Sequence, residues 1–272
     1  MFRVKALVCV TTVLLLAGMN KTFAQDAAPD QCLALAHLPS HSLLHKASVR
    51  PAALKAFEIK LRYLGHSTFL LTSPKDVIVA TDYNDYITIP LPTIATMNLA
   101  HDSHYSYNPD PRIKHILKGW NSMPGQARIH DLSEKDVRVR NIPTNLRSYG
   151  GSTLEYGNSI FVFEMGGLCV AHLGHLHHTL SVQQLAQIGQ MDIVLVPVDG
   201  SWTLDIPGMM EVLQALKAPL VIPMHYFSEI NLQRFIDAAQ QNFPVRRFQS
   251  SELTIARHRL PAQTEVWVLP PG

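Results

Sequence analysis

The sequence predicts an α/β domain built from two β-sheets with helices on the outside. Residues 57–142 hold runs in which apolar and polar side chains alternate with the period of a half-buried strand. Residues 181–239 instead alternate helical spacing with short, continuously apolar strands. The histidines collect where strands give way to loops, the places at which a fold of this class carries function.

Taken in order, Arg3 and Lys5 precede the apolar stretch 6–19, and Thr22-Phe23-Ala24 offers small residues to a signal peptidase. Residues 1–24 read as a secretory signal peptide cut after Ala24. The apolar part is short for a membrane span and no later stretch reaches spanning length, so no membrane span is expected and the chain is placed in the periplasm or outside the cell. Residues 25–56 form an N-terminal extension interrupted by Pro39 and Pro51. Its His37, His41 and His45 fall four apart, a pattern better explained by a solvated surface than by a second metal locus.

Removing residues 1–24 takes away three bases and no acid, so the formal charge of +2 (23 basic, 21 acidic) becomes 20 − 21 = −1. No basic stripe argues for nucleic acid. Of the three cysteines, Cys32 and Cys169 survive cleavage; they can pair, or stay as an exposed and a buried thiol.

The main domain, 57–272, opens with strands at 57–64, 68–72 and 77–81, read as an antiparallel meander, and a fourth at 94–100 that runs into His101. Short strands or turns fill 112–128. Strands follow at 137–142, 159–164 and 168–172, the last two around the tight turn Met165-Gly166-Gly167. A helix at 181–188 with Ser181 as cap, a buried strand at 193–196, a helix at 209–217, a strand at 220–222 and a helix marked by Leu232, Phe235, Ile236 and Ala239 come next. Strands at 253–256 and 265–269 close the chain.

The segment Ala171-His172-Leu173-Gly174-His175-Leu176-His177-His178 puts four imidazoles into seven residues after an apolar run. Neutral imidazole is the commonest ligand for transition metals, so such a run reads as the rim of a metal site, with a solvated His-rich turn as the alternative. His101 and His104 upstream and His225 downstream, each at the end of an apolar segment, favour the metal.

In order, Leu64-Gly65-His66-Ser67-Thr68-Phe69-Leu70, Ala80-Thr81-Asp82, His101 with His104, Gly157-Asn158-Ser159, His172-Leu173-Gly174-His175 and Ile222-Pro223-Met224-His225-Tyr226 resemble the metallo-β-lactamase superfamily, in particular the branch that includes the ascorbate-phosphate lactonases. The resemblance covers about residues 57–250 and implies the four-layer αββα sandwich of the metallo-β-lactamase fold. The metal motif departs from the family's. The spacing His101-Asp102-Ser103-His104 is one residue wider than usual, and Ser106, Tyr107 and Asn145 stand where ligands of a second metal are expected. His175 stands where the family has a bridging aspartate.

The resemblance, read onto these residues, implies a metal held by His101, His104, His175 and His225, zinc first, with manganese or iron as further fits. His66 and His178 are the candidates for proton transfer, with His177 an equal choice beside His178, because a hydrolase must protonate its leaving group. Asp82 is a candidate to fix a ligand histidine or cap a turn, and Asp199 to contact substrate or form an Asx turn. The implied function is an exported hydrolase that uses a metal-bound hydroxide on an ester, lactone, amide or phosphoester of a small-molecule substrate. A metal-binding, non-catalytic member of the same fold is the alternative, and a β-lactam-cleaving enzyme a third. The sequence sets no oligomeric state.

Overall fold

Period-two alternation in the first half and helix–strand alternation in the second fold into two stacked sheets, as expected. The computed structural model describes residues 31–34, 54–148 and 150–272. The signal peptide expected at 1–24 lies outside them, as does most of the 25–56 extension with its His37, His41 and His45.

One sheet has six strands in the order β13-β1-β2-β3-β4-β5: β1 (Glu58–Gly65), β2 (Thr68–Thr72), β3 (Ile78–Ala80), β4 (Ile94–Met97), β5 (His115–Lys118) and β13 (Glu252–Ala256). The meander holds only for β1 to β3; β4 runs parallel to both β3 and β5. The connection 81–93 is long enough to return the chain for a parallel pairing, and it carries Asp82.

The other sheet has eight strands in the order β12-β14-β11-β10-β9-β8-β7-β6. They are β6 (Asp131–Glu134), β7 (Val137–Arg147), β8 (Thr153–Met165), β9 (Leu168–His172), β10 (Ile193–Pro197), β11 (Leu220–Met224), β12 (Val245–Arg247) and β14 (Glu265–Val268). Three helices return the chain between parallel strands: α2 (Val182–Ile188), α3 (Ile206–Leu216) and α4 (Glu229–Ala239). Their caps are built by Ser181 on the Gln184 amide, Asp205 on Gly208 and Ser228 on Asn231. Asp205 and Pro207 start α3 three residues before the apolar spacing suggested.

The central strands of the eight-stranded sheet are buried on both faces. Along β8, Phe161 and Phe163 point between the sheets, against Ile59, Leu61, Phe69, Leu195 and Ile222, whereas Ile160 and Val162 point to the helix side with Val194, Leu213 and Phe235. A strand buried on both faces reads as a continuous apolar run, which is how β8 to β11 appear in the sequence. Helices α2, α3 and α4 all pack on this sheet; among the described residues the outer face of the six-stranded sheet carries no α-helix. A short turn of helix, α1 (Gln31–Ala34), is joined to β9 by a Cys32–Cys169 disulfide with Cα atoms 5.7 Å apart, the first of the two readings of these cysteines.

Two strands, β6 and β12, escaped the sequence reading, and β7 and β8 are longer than expected. Their hairpin continues past Pro143 through a bulge between Thr144 and Leu146. Strand β4 stops at Met97 instead of reaching His101. The Asn98 amide turns to the His104 carbonyl at 3.1 Å, closing a loop that ends in a 3-10 turn, Asp102–His104.

Candidate metal centre

Parallel strands deliver their C-terminal ends to one edge, and sites in α/β folds form there. From the eight-stranded sheet, β9 ends at His172 with His175 just beyond, β10 leads to Asp199, and β11 leads directly to His225. From the six-stranded sheet, the β1–β2 turn supplies His66, the end of β3 supplies Asp82, and the loop after β4 supplies His101 and His104. His66, Asp82 and His225 hold positive φ of 49°, 42° and 54°. Left-handed backbone is uncommon for side chains of this size and collects at functional sites.

Two of the imidazoles are each fixed by a buried carboxylate. His104 places Nδ1 2.5 Å from Asp82 Oδ2, and His225 places Nδ1 3.1 Å from Asp199 Oδ1, with all four side chains fully shielded from solvent. A carboxylate accepts, so both rings carry hydrogen on Nδ1 and a lone pair on Nε2. Those two lone pairs face each other, Nε2 to Nε2, at 3.1 Å. Behind the first dyad, Asn98 donates to Asp82 Oδ1 at 2.9 Å. Behind the second, Asp199 also accepts from the amides of Ser201, Trp202 and Thr203 and the hydroxyls of Ser201 and Thr203. Burial opposes ionisation of Asp199, but the hydrogen bonds from His225 and Thr203 outweigh it and hold the carboxyl well below the usual range. Burial of Asp82 pushes its carboxyl up.

His66, His101, His104 and His225 each offer a nitrogen, and all four atoms lie within 4.8 Å of one another. The His101 Nδ1 meets Ser103 Oγ at 2.7 Å, which leaves Nε2 to the centre. The His66 Nε2 is buried with no hydrogen-bond partner among the described residues. Burial, and then the neighbouring His225 and His101, bring the His66 imidazole down to about 3. Burial likewise lowers His101 and takes His104 well below the ordinary value.

These residues fit a divalent cation on three counts. Two nitrogens about 2.0–2.1 Å from one tetrahedral ion stand about 3.3 Å apart, close to the His104–His225 separation. A cation resolves the opposed lone pairs, and it gives the orphaned His66 nitrogen a partner. An imidazole that ligates a cation brings no charge of its own, so a charge of +2 also balances the carboxylates of Asp82 and Asp199 set directly behind the rings.

His175 lies beside the group, its ring centroid 4.8–5.0 Å from those of His101, His104 and His225. Its amide donates to Asn158 Oδ1 at 2.8 Å, its Nδ1 is 2.6 Å from His177 Nε2, and its buried Nε2 has no partner among the described residues. His178 turns away from the centre. Its Nε2 accepts from the Asn145 amide at 3.3 Å and its Nδ1 donates to the Thr179 carbonyl at 2.8 Å, so both nitrogens are spent on backbone, and His177 is the residue that meets the cluster. Ser106 donates to Asp85, Tyr107 is 76% exposed, and Asn145 accepts from the Tyr156 amide at 3.0 Å. His172 points Nε2 at the Ser67 carbonyl, 2.9 Å away.

A cleft of about 270 Å³ opens beside His101, His175 and His177, walled by Leu146, Arg147 and Trp202. The Phe227 ring lies 5.2 Å from that of His225 and 5.5 Å from that of His66. Arg147 and Phe227 had no signal in the sequence; the first is exposed beyond a bulge and the second follows the ligand-like His225.

The β-lactamase superfamily domain matches residues 60–225. A UPF0173 metal-dependent hydrolase from Nanoarchaeum equitans is 25% identical over 185 residues, 62% of this chain and 84% of its own length. Among solved structures, a chain from Thermotoga maritima classed as a Zn-dependent hydrolase of the metallo-β-lactamase superfamily superposes with a TM-score of 0.57 at 26% identity, over 78% of this chain and 98% of its own. The diiron β-hydroxylase CmlA from Streptomyces venezuelae, 11% identical with a TM-score of 0.51 over 77% of this chain and 55% of its own, shares the fold alone. The chain has the metallo-β-lactamase fold and belongs to the β-lactamase superfamily.

Proposed function

We propose that this chain is an exported, metal-dependent hydrolase of a small-molecule ester, lactone, amide or phosphoester. The observation that carries the reading is the 3.1 Å approach of His104 Nε2 and His225 Nε2, each backed by its own buried carboxylate. His66 and His101 complete the donor set for zinc, manganese or iron, all of which accept imidazole. A divalent ion held there supplies Lewis acidity, the means by which water becomes a nucleophile near neutral pH.

The protein's own part is placement. Asp82 and Asp199 fix the tautomers of His104 and His225, so that neither ring needs to reorient when the cation arrives. Trp202 and Leu146 give the mouth apolar walls, and Phe227 covers His66 and His225, which reduces water around the reacting bond. Export is supported by the N-terminal signal pattern and by the Cys32–Cys169 disulfide, a bond that persists in oxidising compartments such as the periplasm.

The test is elemental analysis of chain purified without a metal-affinity tag, beside His104→Ala and His225→Ala. Bound divalent metal that both variants lose, together with chelator-sensitive turnover on an aryl-ester, lactone and phosphodiester panel, is the expected outcome. A chain that takes up none of zinc, manganese or iron removes the chemical basis of the reading. Metal uptake with no turnover on any of these substrates leaves a binding protein in its place.

A further inference from the structure

We infer that His175 faces the centre as a neutral N–H donor to an anionic oxygen of the substrate, and not as a metal ligand; the substrate half of this inference rests on the hydrolase reading, the hydrogen position does not. The argument starts at a group whose direction is fixed. A backbone amide can only donate, and the Arg147 amide meets His177 Nδ1 at 2.5 Å. That nitrogen therefore carries a lone pair, and the hydrogen of neutral His177 sits on Nε2. His177 Nε2 is 2.6 Å from His175 Nδ1, so it donates and His175 Nδ1 accepts. The hydrogen of neutral His175 is left on Nε2, the buried atom with no partner among the described residues.

Coordination through His175 Nε2 requires the reverse arrangement, with Nδ1–H of His175 donating to His177. His177 would then accept at both nitrogens, as an imidazolate, a species that neutral pH does not supply. Neither ring carries a second hydrogen in this chain of bonds, because the Arg147 amide uses the lone pair of His177 Nδ1 and the His177 Nε2–H uses the lone pair of His175 Nδ1. The contrast with His104 and His225, whose Nδ1–H groups point at carboxylates, divides the cluster into lone pairs that attract a cation and one N–H that repels it.

Several features hold His175 in this role. Arg147 is the last residue of β7, paired with Thr153 beyond the bulge, and its amide is aimed at His177. His175 and His177 both line the cleft, beside Arg147. An N–H directed at the point where a carbonyl or phosphoryl oxygen gains charge acts as an oxyanion donor.

Ring-nitrogen NMR of uniformly ¹⁵N-labelled full chain after export, free of metal and loaded with ¹¹³Cd, tests the assignment, with the His175 signals identified by their loss in His175→Ala. Metal-free, His175 should show a protonated Nε2 and a bare Nδ1. Cadmium-loaded, scalar coupling should appear on His104 and His225 and be absent from His175. Coupling to His175 Nε2 overturns the inference while leaving the metal site standing. A chain that binds no cadmium overturns the hydrolase reading and with it the substrate half, whereas the metal-free spectrum still decides the hydrogen position. Inorganic phosphate is the probe of the donor role: binding to the cadmium-loaded chain should weaken at least tenfold in His175→Ala with cadmium content unchanged, and equal binding overturns it.

Discussion

The amide of His225 donates to the carbonyl of His66 across 2.6 Å, and both residues hold left-handed backbone, at φ 54° and 49°. The two come from different sheets, so this bond locks the two walls of the site at a fixed distance. Left-handed conformation costs an L-residue about 1–2 kcal/mol that glycine does not incur. His66→Gly should therefore be more stable than His66→Ala by about 1 kcal/mol, the reverse of their usual order. Urea unfolding of the two metal-free variants measures it, and an equal or inverted ranking contradicts the strained turn.

Asp199 does not line the cleft; it reaches the centre through His225. Replacing it by asparagine keeps its size but removes the charge that fixes the imidazole. Loss of such an outer partner typically lowers metal affinity by about 10–100-fold. Competition against a chromogenic chelator should show a fall of that order in Asp199→Asn, with Asp82→Asn behaving alike at His104. Unchanged affinity in both would mean that the carboxylates only shape loops.

The metal-free chain should lose stability in mild acid. His66 and His177 sit at about 3 and about 4 when folded, against 6.5 when free, with burial the first cause in each, and burial also lowers His101, His104, His172 and His175. Below pH 6.5 the unfolded chain takes up protons that the folded chain refuses. Stability is thus complete above pH 6.5 and falls as pH drops toward 4, by up to about 1.4 kcal/mol per pH unit for each such histidine. Urea midpoints at pH 7.5, 6 and 5 check this, and a flat series contradicts the neutral cluster.

Much of the scaffold was legible because strand alternation and helix caps are local. The runs at 68–72 and 168–172 fall on β2 and β9 as expected, and Ser181 caps α2 as its Ser-x-x-Gln pattern suggests. The parallel β3–β4–β5 pairing was not legible, since strand direction depends on where a long connection runs. At the site, His66, His101, His104 and His225 meet, but roles within it depend on what stands behind each ring. His178 and His177 are equivalent in sequence; the Arg147 amide, on a different strand, meets His177, and it is His177 that reaches His175. Asp199 forms an Asx turn through its contacts to 201–203 and holds His225 as well, a double use that no local pattern announces.

The Cys32–Cys169 bond ties α1 across a sequence separation of 137 to the strand that carries the His-rich run. Disulfides closing loops of this size contribute about 2–5 kcal/mol, chiefly by restricting the unfolded chain. Cys32→Ser should lower Tm by about 5–15 °C, given the 2–4 °C per kcal/mol of a chain this long. Thiol titration of denatured chain made without residues 1–24, and so without Cys9, should find no free thiol. Two thiols per chain would rule the bond out.

Gly174 turns the chain between His172 and His175 at φ 59°. A Cβ there would sit 2.4 Å from Asn158 Oδ1 and 2.6 Å from Asn98 Nδ2. Neither amide can retreat cheaply. Asn158 Oδ1 accepts from the His175 amide, and Asn98 Nδ2 donates to Asp82. Overpacking of this kind costs about 1–3 kcal/mol, and the left-handed backbone adds about 1–2 kcal/mol. Gly174→Ala should thus lose about 2–5 kcal/mol in urea unfolding. Because Asn98 holds Asp82 behind His104, its displacement should also weaken metal binding, whereas Gly151→Ala, at φ 79° with nothing among the described residues within 4 Å of an added Cβ, should lose only the backbone penalty and keep its metal. Equal stability and equal affinity in the two variants would show that the glycine serves the turn alone, and that the paired asparagines do not transmit its packing to the centre.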